Sequence, residues 1–299
     1  MSRSTFGVAV LMGSLALAAG AADASNFEQQ VAADPHGEVD VSNVSGSIVI
    51  TGWDQSAVAV TADSDRVKVT SEHGRTQVCV MYHESEGCNS PGGFNGGSSV
   101  RLEVRVPRGS ELEVSGVSAD ITSRGVSGAQ QLHSVSGDIN ADLGSGNDEV
   151  NSVSGTINLH GSGEDGTLHV ASVSGNLSAT NVAGELEART VSGTLNAELS
   201  SARSVRLNTT NGDITLNVRL ASDGSIETET VSGDQDMKVS GAGYSYEAKS
   251  FSGDITNCFG QQVDKSQYGP GSRLDGTHEG GGGHLRMQSL SGDISLCDH

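Results

Sequence analysis

Aromatic residues are scarce in this chain. Of 299 residues, one is Trp, four are Tyr and five are Phe, while 41 are Gly, a balance shared with disordered segments. Basic residues are few as well: 17 Lys and Arg stand against 37 Asp and Glu, for a net charge of −20. That balance excludes the basic footprint that nucleic-acid binding needs. It also disfavours adhesion to anionic lipid and leaves a soluble, self-repelling protein or a cation binder. The only long apolar run is Gly7–Ala19, short for a bilayer crossing, so no membrane span is expected. The Cys pattern contains no C-x-x-C pair, which argues against a four-Cys metal site. There is no Gly-x-Ser-x-Gly elbow and no arguable Ser/His/Asp arrangement. No helix is signalled beyond Ala24, so a Gly-rich phosphate loop would have none to follow it. Nothing in the sequence asks for a cofactor.

What the chain does contain is a repeated phrase, Val-Ser-Gly-Asp-Ile, intact at Val135–Ile139. Near copies stand at Val153–Ile157, Val173–Leu177, Val191–Leu195, Thr210–Ile214, Val231–Gln235, Phe251–Ile255 and Leu290–Ile294. Taking the final Ile or Leu as position zero, a small or apolar residue follows at plus two, an apolar one at plus five and Gly at plus seven. Zero falls at 121, 130, 139, 148 and 157, then 168, 177, 186 and 195, and later 205, 214, 226, 235, 246, 255, 285 and 294. Most steps are nine residues. Each lengthened step begins at the unit after a full phrase, and the next step is again nine. The true period is therefore two units, with one turn of fixed length and one variable turn.

Two short strands and two turns per period, stacked on identical rungs, describe a β-solenoid. Zero and plus two share a strand face, and Gly at plus seven suits a turn needing positive φ or close backbone approach. The fold class expected is all-β, a two-sided parallel β-solenoid over 111–299 with a Gly-rich insertion at 257–284. The strict register overrides the disordered look of the composition. Plus-five residues, Phe251 among them, are expected in the core along with Tyr246. Residues 25–110 alternate as strands at Val39–Val41, Val58–Val60, Val67–Val69, Val78–Val80 and Val100–Val106 and read as a β-rich N-terminal cap.

Residues 1–24 read as a cleaved signal peptide: Arg3 supplies the charge, Gly7–Ala19 the apolar stretch, and Ala22-Asp23-Ala24 the cut site. The mature chain would begin at Ser25 in the periplasm or outside the cell. In that oxidising setting the four Cys favour two disulfides. Cys79 and Cys88 flank a Gly-containing loop. Cys258 and Cys297 each lie three residues past a position zero, so successive rungs would bring their Cα atoms about 5 Å apart.

The Val-Ser-Gly-Asp-Ile copies, the earlier Val44-Ser45-Gly46-Ser47-Ile48 with Gly52-Trp53-Asp54, and the strand Val100–Pro107 together carry a resemblance. The chain resembles a bacterial family of secreted β-strand-repeat proteins commonly labelled adhesins. The resemblance implies a β-solenoid and an envelope location. It carries no catalytic residues.

The phrase Asp recurs at Asp138, Asp213, Asp234, Asp254 and Asp293, the last four on consecutive rungs in chain order. Stacked carboxylates are Ca²⁺ candidates, and a pair about 5 Å apart would suit a retaining glycosidase. The plainer reading is that each Asp caps its own turn, a role that Thr156, Asn176 and Thr194 also fill. His278 and His284 flank the Gly280–Gly283 run and His299 ends the chain close to Cys297; flexible, partnerless imidazoles are expected there over a metal site. Tyr244, Tyr246, Phe251, Phe259 and Tyr268 cluster near the C-terminus, as packing or as a docking group. The leading functional expectation is a secreted, non-enzymatic, adhesin-like envelope module that binds an envelope protein or polysaccharide or serves structurally. The alternatives are a polysaccharide-active enzyme using the Asp column, and a sensory or scaffold protein of envelope stress.

Overall fold

The computed structural model describes residues 27–81, 99–241, 243–265 and 271–298. The expected signal segment, Cys88, Tyr268 and His299 lie outside these residues. No helix occurs among the described residues, which are built from strands and turns.

The N-terminal strands are β1 (Phe27–Ala32), β2 (Glu38–Trp53), β3 (Ala57–Ala62), β4 (Val67–Glu72), β5 (Arg75–Val80), β6 (Val100–Pro107) and β7 (Glu111–Arg124). The repeats supply β8 (Gln130–Ser136), β9 (Ile139–Asp142), β10 (Asn147–Ser154), β11 (Ile157–His160), β12 (Asp165–Ser174), β13 (Leu177–Ser192), β14 (Leu195–Asn211), β15 (Ile214–Ser232) and β16 (Gln235–Gly241). The last group is β17 (Tyr244–Ser252), β18 (Ile255–Asn257), β19 (Asp264–Lys265), β20 (Ser272–His278), β21 (Gly283–Ser291) and β22 (Ile294–Asp298).

These strands form two parallel ladders joined at the phrase. The ladder after the phrase runs β6–β2–β7–β9–β11–β13–β14–β15–β16–β22–β18. The ladder before it runs β5–β2–β7–β8–β10–β12–β13–β14–β15–β21–β17. The pairing is the one the register dictates: Ile121 lies beside Ile139, Ile139 beside Ile157, Ile157 beside Leu177, and Leu177 beside Leu195. All five are buried, and each contributes about 1.5–3 kcal/mol of burial. The register irregularities of β13 and β14 fall between Thr180 and Glu185 and between Leu199 and Ser204, the variable turn. Every insertion is absorbed there, while the phrase side keeps its length.

At the phrase the reason for constant length is steric. A Cβ on Gly155, Gly175, Gly193, Gly212 or Gly233 would collide with the carbonyl oxygen of the equivalent Gly one rung earlier. Gly155, Gly175, Gly193 and Gly233 also have φ between 130° and 151°. Only glycine satisfies both demands.

Three expectations change. First, the parallel stack does not begin at 111. β2 pairs in parallel with β7 along both ladders, and β5 and β6 pair in parallel with β2. The antiparallel cover is β4 on β5, β3 on β6 and β1 on β3. Second, chain order is not spatial order at the C-terminal end. β21 lies between β15 and β17, and β22 between β16 and β18, so the last rung in sequence is the penultimate one in space. Third, plus-five residues of the phrase point outward. Val135, Val153, Val173, Val191 and Val231 are 46–49% exposed, and Phe251 is 56% exposed. The inward position is plus four, occupied by buried hydroxyls such as Ser152, Ser172, Thr190, Thr209 and Thr230.

The 257–284 insertion serves this exchange of rungs. β20 runs antiparallel along the outer side of β17, and β19 pairs with β20. The chain then crosses the start of β17 to reach its inner side. Gly282 and Gly283 donate N–H bonds to the Gly243 carbonyl at 2.7 and 3.0 Å. Glu279, Gly280 and Gly281 all take positive φ in the crossing. Cys258 and Cys297 are disulfide-bonded with Cα atoms 4.8 Å apart, tying β18 to β22 as their register required. Cys79 is also disulfide-bonded. No free Cys occurs among the described residues.

Candidate functional site

The phrase carboxylates make a bonded column, but not as caps of their own turns. Each side chain accepts the backbone N–H of the equivalent residue on the next rung. Asp120 Oδ1 accepts from Asp138 N at 3.0 Å, and Asp138 Oδ1 from Thr156 N at 2.7 Å. Asn176 Oδ1 accepts from Thr194 N at 3.0 Å. The C-terminal run is Asp213 to Asp234 N at 2.9 Å, Asp234 to Asp293 N at 2.8 Å, and Asp293 to Asp254 N at 2.8 Å. Lys265 Nζ closes it on Asp254 Oδ1 at 2.8 Å, a bond that raises the lysine pKa. The four Asp are therefore neighbours in the order 213, 234, 293, 254. Backbone amides are bifunctional and directional, so this column fixes rung register. Among the described residues no group of three or more His, Cys, Asp or Glu is placed to hold a metal ion.

A second feature is the outer surface of the pre-phrase ladder. Alternation along β14, β15, β21 and β17 brings Arg206, Glu227, Arg286 and Glu247 into one row across four strands. Arg206 Nε contacts Glu227 at 3.3 Å, and Arg273 on β20 contacts Glu247 at 3.1 Å. Lys249 also bonds Glu247 at 2.6 Å. That bond, with the cations of Arg273 and Arg286, holds the Glu247 carboxyl below its ordinary range. The row forms a depression of about 510 Å³ lined also by Ser204, Ser225, Ser245 and His284. A second depression of about 680 Å³ on the same strands carries Arg189, Asn208, Glu229 and Gln288, and reaches Val231 and Leu290 at the phrase. Together they make a shallow trough of mixed charge, with Tyr246 and His284 also in its lining.

The family model described as Toastrack DUF4097 matches residues 36–222, well over half of the chain. The chain belongs to the Toastrack DUF4097 family. Its similar solved structures include a candidate adhesin from Bacteroides fragilis, at 11% identity and TM-score 0.36, covering 91% of this chain and 96% of that one. A candidate lipid-binding protein from Parabacteroides distasonis is 13% identical with TM-score 0.39, covering 93% and 98% respectively. A candidate adhesin from Parabacteroides merdae is 14% identical with TM-score 0.30, covering 73% and 94%. No curated protein matches the chain.

The family match ends before the C-terminal rungs, where the other sequence-predicted residues lie. The described aromatic residues there mostly pack. Tyr244 and Tyr246 are buried, and Phe259 stacks between Tyr246 and His278 at ring-centre distances of 5.7 and 4.6 Å. His278 is thus a packing residue rather than a free loop imidazole, and Asp298 lies 3.9 Å from its Nε2. His284 Nδ1 sits 2.7 Å from Ser245 Oγ at the rim of the trough. Phe251 stands apart from the cluster, on the exposed phrase row.

Sequence reasoning missed Asp148. It occupies a position zero, between Gln130 and Leu168, and is 3% exposed. Its Oδ1 accepts the Gln130 N–H at 2.9 Å, and burial pushes its carboxyl up to about 6. The signal was available: Gln130, Asp148 and Gln235 are the polar residues standing where the repeat places Ile or Leu. Each Gln side chain is bonded inside at both its amide oxygen and its amide nitrogen. Gln130 accepts from Ser123 and donates to the Asp142 carbonyl, and Gln235 accepts from Thr228 and donates to the Gln288 carbonyl.

Proposed function

We propose that the chain is a secreted, non-enzymatic, two-sided β-solenoid that binds an extended envelope component along the charged trough of its pre-phrase face. The observation that carries this reading is the pairing of the charges in the Arg206–Glu227–Arg286–Glu247 row. Glu227 and Glu247, its central carboxylates, are each held by Arg or Lys, and Glu247 is kept ionised. Acid–base hydrolysis of a glycoside needs one carboxyl kept protonated and another free. Among the described residues, the one carboxyl whose pKa is markedly raised, Asp148, is buried in the core, away from this face. A row of alternating charge with hydroxyl and amide neighbours instead suits an elongated polar partner, protein or polysaccharide, read by many weak contacts. The signal peptide expected over residues 1–24 supports a periplasmic or cell-surface site of action, and the acidic composition supports solubility there.

The test uses the purified mature protein against separated envelope polysaccharide and envelope protein fractions, alongside an Arg206→Glu/Arg286→Glu variant. Retention of one fraction, abolished by the double substitution in a protein that still melts cooperatively, is the expected result. Retention unaffected by the substitution would remove the trough from the reading. Release of new reducing ends from the polysaccharide would overturn the non-enzymatic assignment. N-terminal sequencing of protein from the native host should start at Ser25.

A further inference from the structure

We infer that the exposed apolar row at the phrase corner is a self-association surface, on which a second copy of this chain packs antiparallel. The outward residues of eight successive rungs are, in spatial order, Val135, Val153, Val173, Val191, Thr210, Val231, Leu290 and Phe251. Seven of the eight are large hydrophobics left 46–56% exposed. At about 4.8 Å per rung the row is continuous and roughly 34 Å long. The inferred contact goes beyond the proposed function: the row borders the trough, sharing Val231 and Leu290 with its second depression, and is separate from the charged row of Arg206, Glu227, Arg286 and Glu247.

Three observations select a second copy as the occupant. The first is area. The exposed parts of these seven side chains amount to something on the order of 600 Å² per copy before their Ser neighbours are added, against about 800 Å² per partner in a stable dimer. The second is spacing, since another stack of the same rungs repeats at the same interval and meets the row residue for residue. The third is the distribution of charge beside it. The residue three places after each row member is Asp138, Thr156, Asn176 or Thr194 in the first four rungs, and Asp213, Asp234, Asp293 or Asp254 in the last four. A two-fold axis between the Val191 and Thr210 rungs lays Val135 on Phe251, Val153 on Leu290, and Val173 on Val231. It also sets Thr194, Asn176 and Thr156 against Asp213, Asp234 and Asp293, hydroxyl or amide against carboxylate. The one acidic encounter, Asp138 with Asp254, falls on the carboxylate that Lys265 already pairs. A net charge of −20 opposes an anionic membrane on the same row. A glycan would find only Phe251 to stack on.

The test is sedimentation of the full chain over a wide concentration range at low and high salt. The expected result is a reversible monomer–dimer equilibrium that tightens with salt, because salt screens the repulsion of two acidic chains and leaves apolar contact intact. Val173→Glu and Val231→Glu, each a half-exposed site that tolerates a charge in the monomer, should each weaken it by roughly 30-fold or more. Orientation is read by short thiol cross-linkers. Val153→Cys alone should not link to itself, because the two copies of that residue stand five rungs apart, about 24 Å. A mixture of Val153→Cys and Leu290→Cys should link. A monomer at every concentration, a dimer indifferent to both Glu variants, or self-linking of Val153→Cys would each overturn the inference.

Discussion

Replacing Asp148 with Asn should stabilise this protein, and only above mild acidity. The carboxyl lies in a core slot that the next two rungs fill with Leu168 and Leu186. Beside it is a cavity of about 20 Å³, room for little more than one water. One N–H bond, from Gln130, offsets part of the burial cost, yet the pKa still rises from 3.8 to about 6. The sign follows from linkage. A carboxyl whose folded pKa exceeds its unfolded value favours the fold when protonated, in full below about pH 4. That contribution is lost as pH rises through 6. A shift of about two units corresponds to roughly 3 kcal/mol between the two limits. Asn keeps the shape and the Oδ1 acceptor but cannot ionise. Urea unfolding of both proteins from pH 4 to pH 8 isolates this one group from the other 36 acidic residues, which the two share. The stability difference should be near zero at the acid end and open to about 2–3 kcal/mol in favour of Asp148→Asn by pH 8. A difference that is constant with pH, or that favours Asp at pH 8, would refute the burial argument.

Other consequences follow from the same packing. Gly193→Ala forces a Cβ into the Gly175 carbonyl at a φ of 130° and should cost at least about 2–3 kcal/mol in unfolding experiments, whereas the exposed neighbour Ser192→Ala should cost under about 0.5. Thr209→Val and Thr230→Val remove buried hydroxyls that take no partner and should each stabilise by about 1 kcal/mol, whereas Thr190→Val, which loses a bond to the Ser192 carbonyl, should not. Cys258→Ser opens a link across 39 residues and should cost about 3–4 kcal/mol, with faster amide exchange expected in β18 and β22 and none in β9.

Much of the architecture was legible because the repeat is strict. The nine-residue step and its lengthened partner gave two ladders, a fixed corner and a variable corner, and they placed Cys258 beside Cys297. Parity along a strand would have corrected the plus-five expectation. Zero, plus two and plus four share a face, so Val191 had to point outward while Thr190 pointed in. Apolar character misled there, since a Val in a register is easily taken for core. The charged row escaped notice because Arg206, Glu227, Glu247 and Arg286 lie 20 or more residues apart in sequence, and because the phrase drew attention to the corner. The limit of the N-terminal cap was readable from Val44-Ser45-Gly46-Ser47-Ile48, a phrase copy that marks β2 as a rung in its own right.

The order of the last two rungs is different in kind, because their register is the same in either order. Side-chain columns decide it. If β17 lay directly on β15, Glu247 would stand beside Glu227, like charges in adjacent strands. With β21 between them, Arg286 separates the two acids; on β20 the residue facing Glu247 is Asp275, and Arg273, which faces Lys249, reaches across to Glu247 at 3.1 Å. The same order lets the Asp column end on Lys265 and leaves β17 as the edge that β20 covers. Arg286→Glu should therefore act on the inserted rung rather than on the stack at large. Two like-charge pairs replace two favourable ones, a loss of about 1–2 kcal/mol at low salt that should shrink as salt screens these exposed groups. Amide exchange should quicken in β21 and β22 and stay unchanged in β10 and β12. A salt-independent loss, or one spread evenly over the rungs, would mean that packing of Leu285 and Met287, and not the charge row, holds the last rung in place.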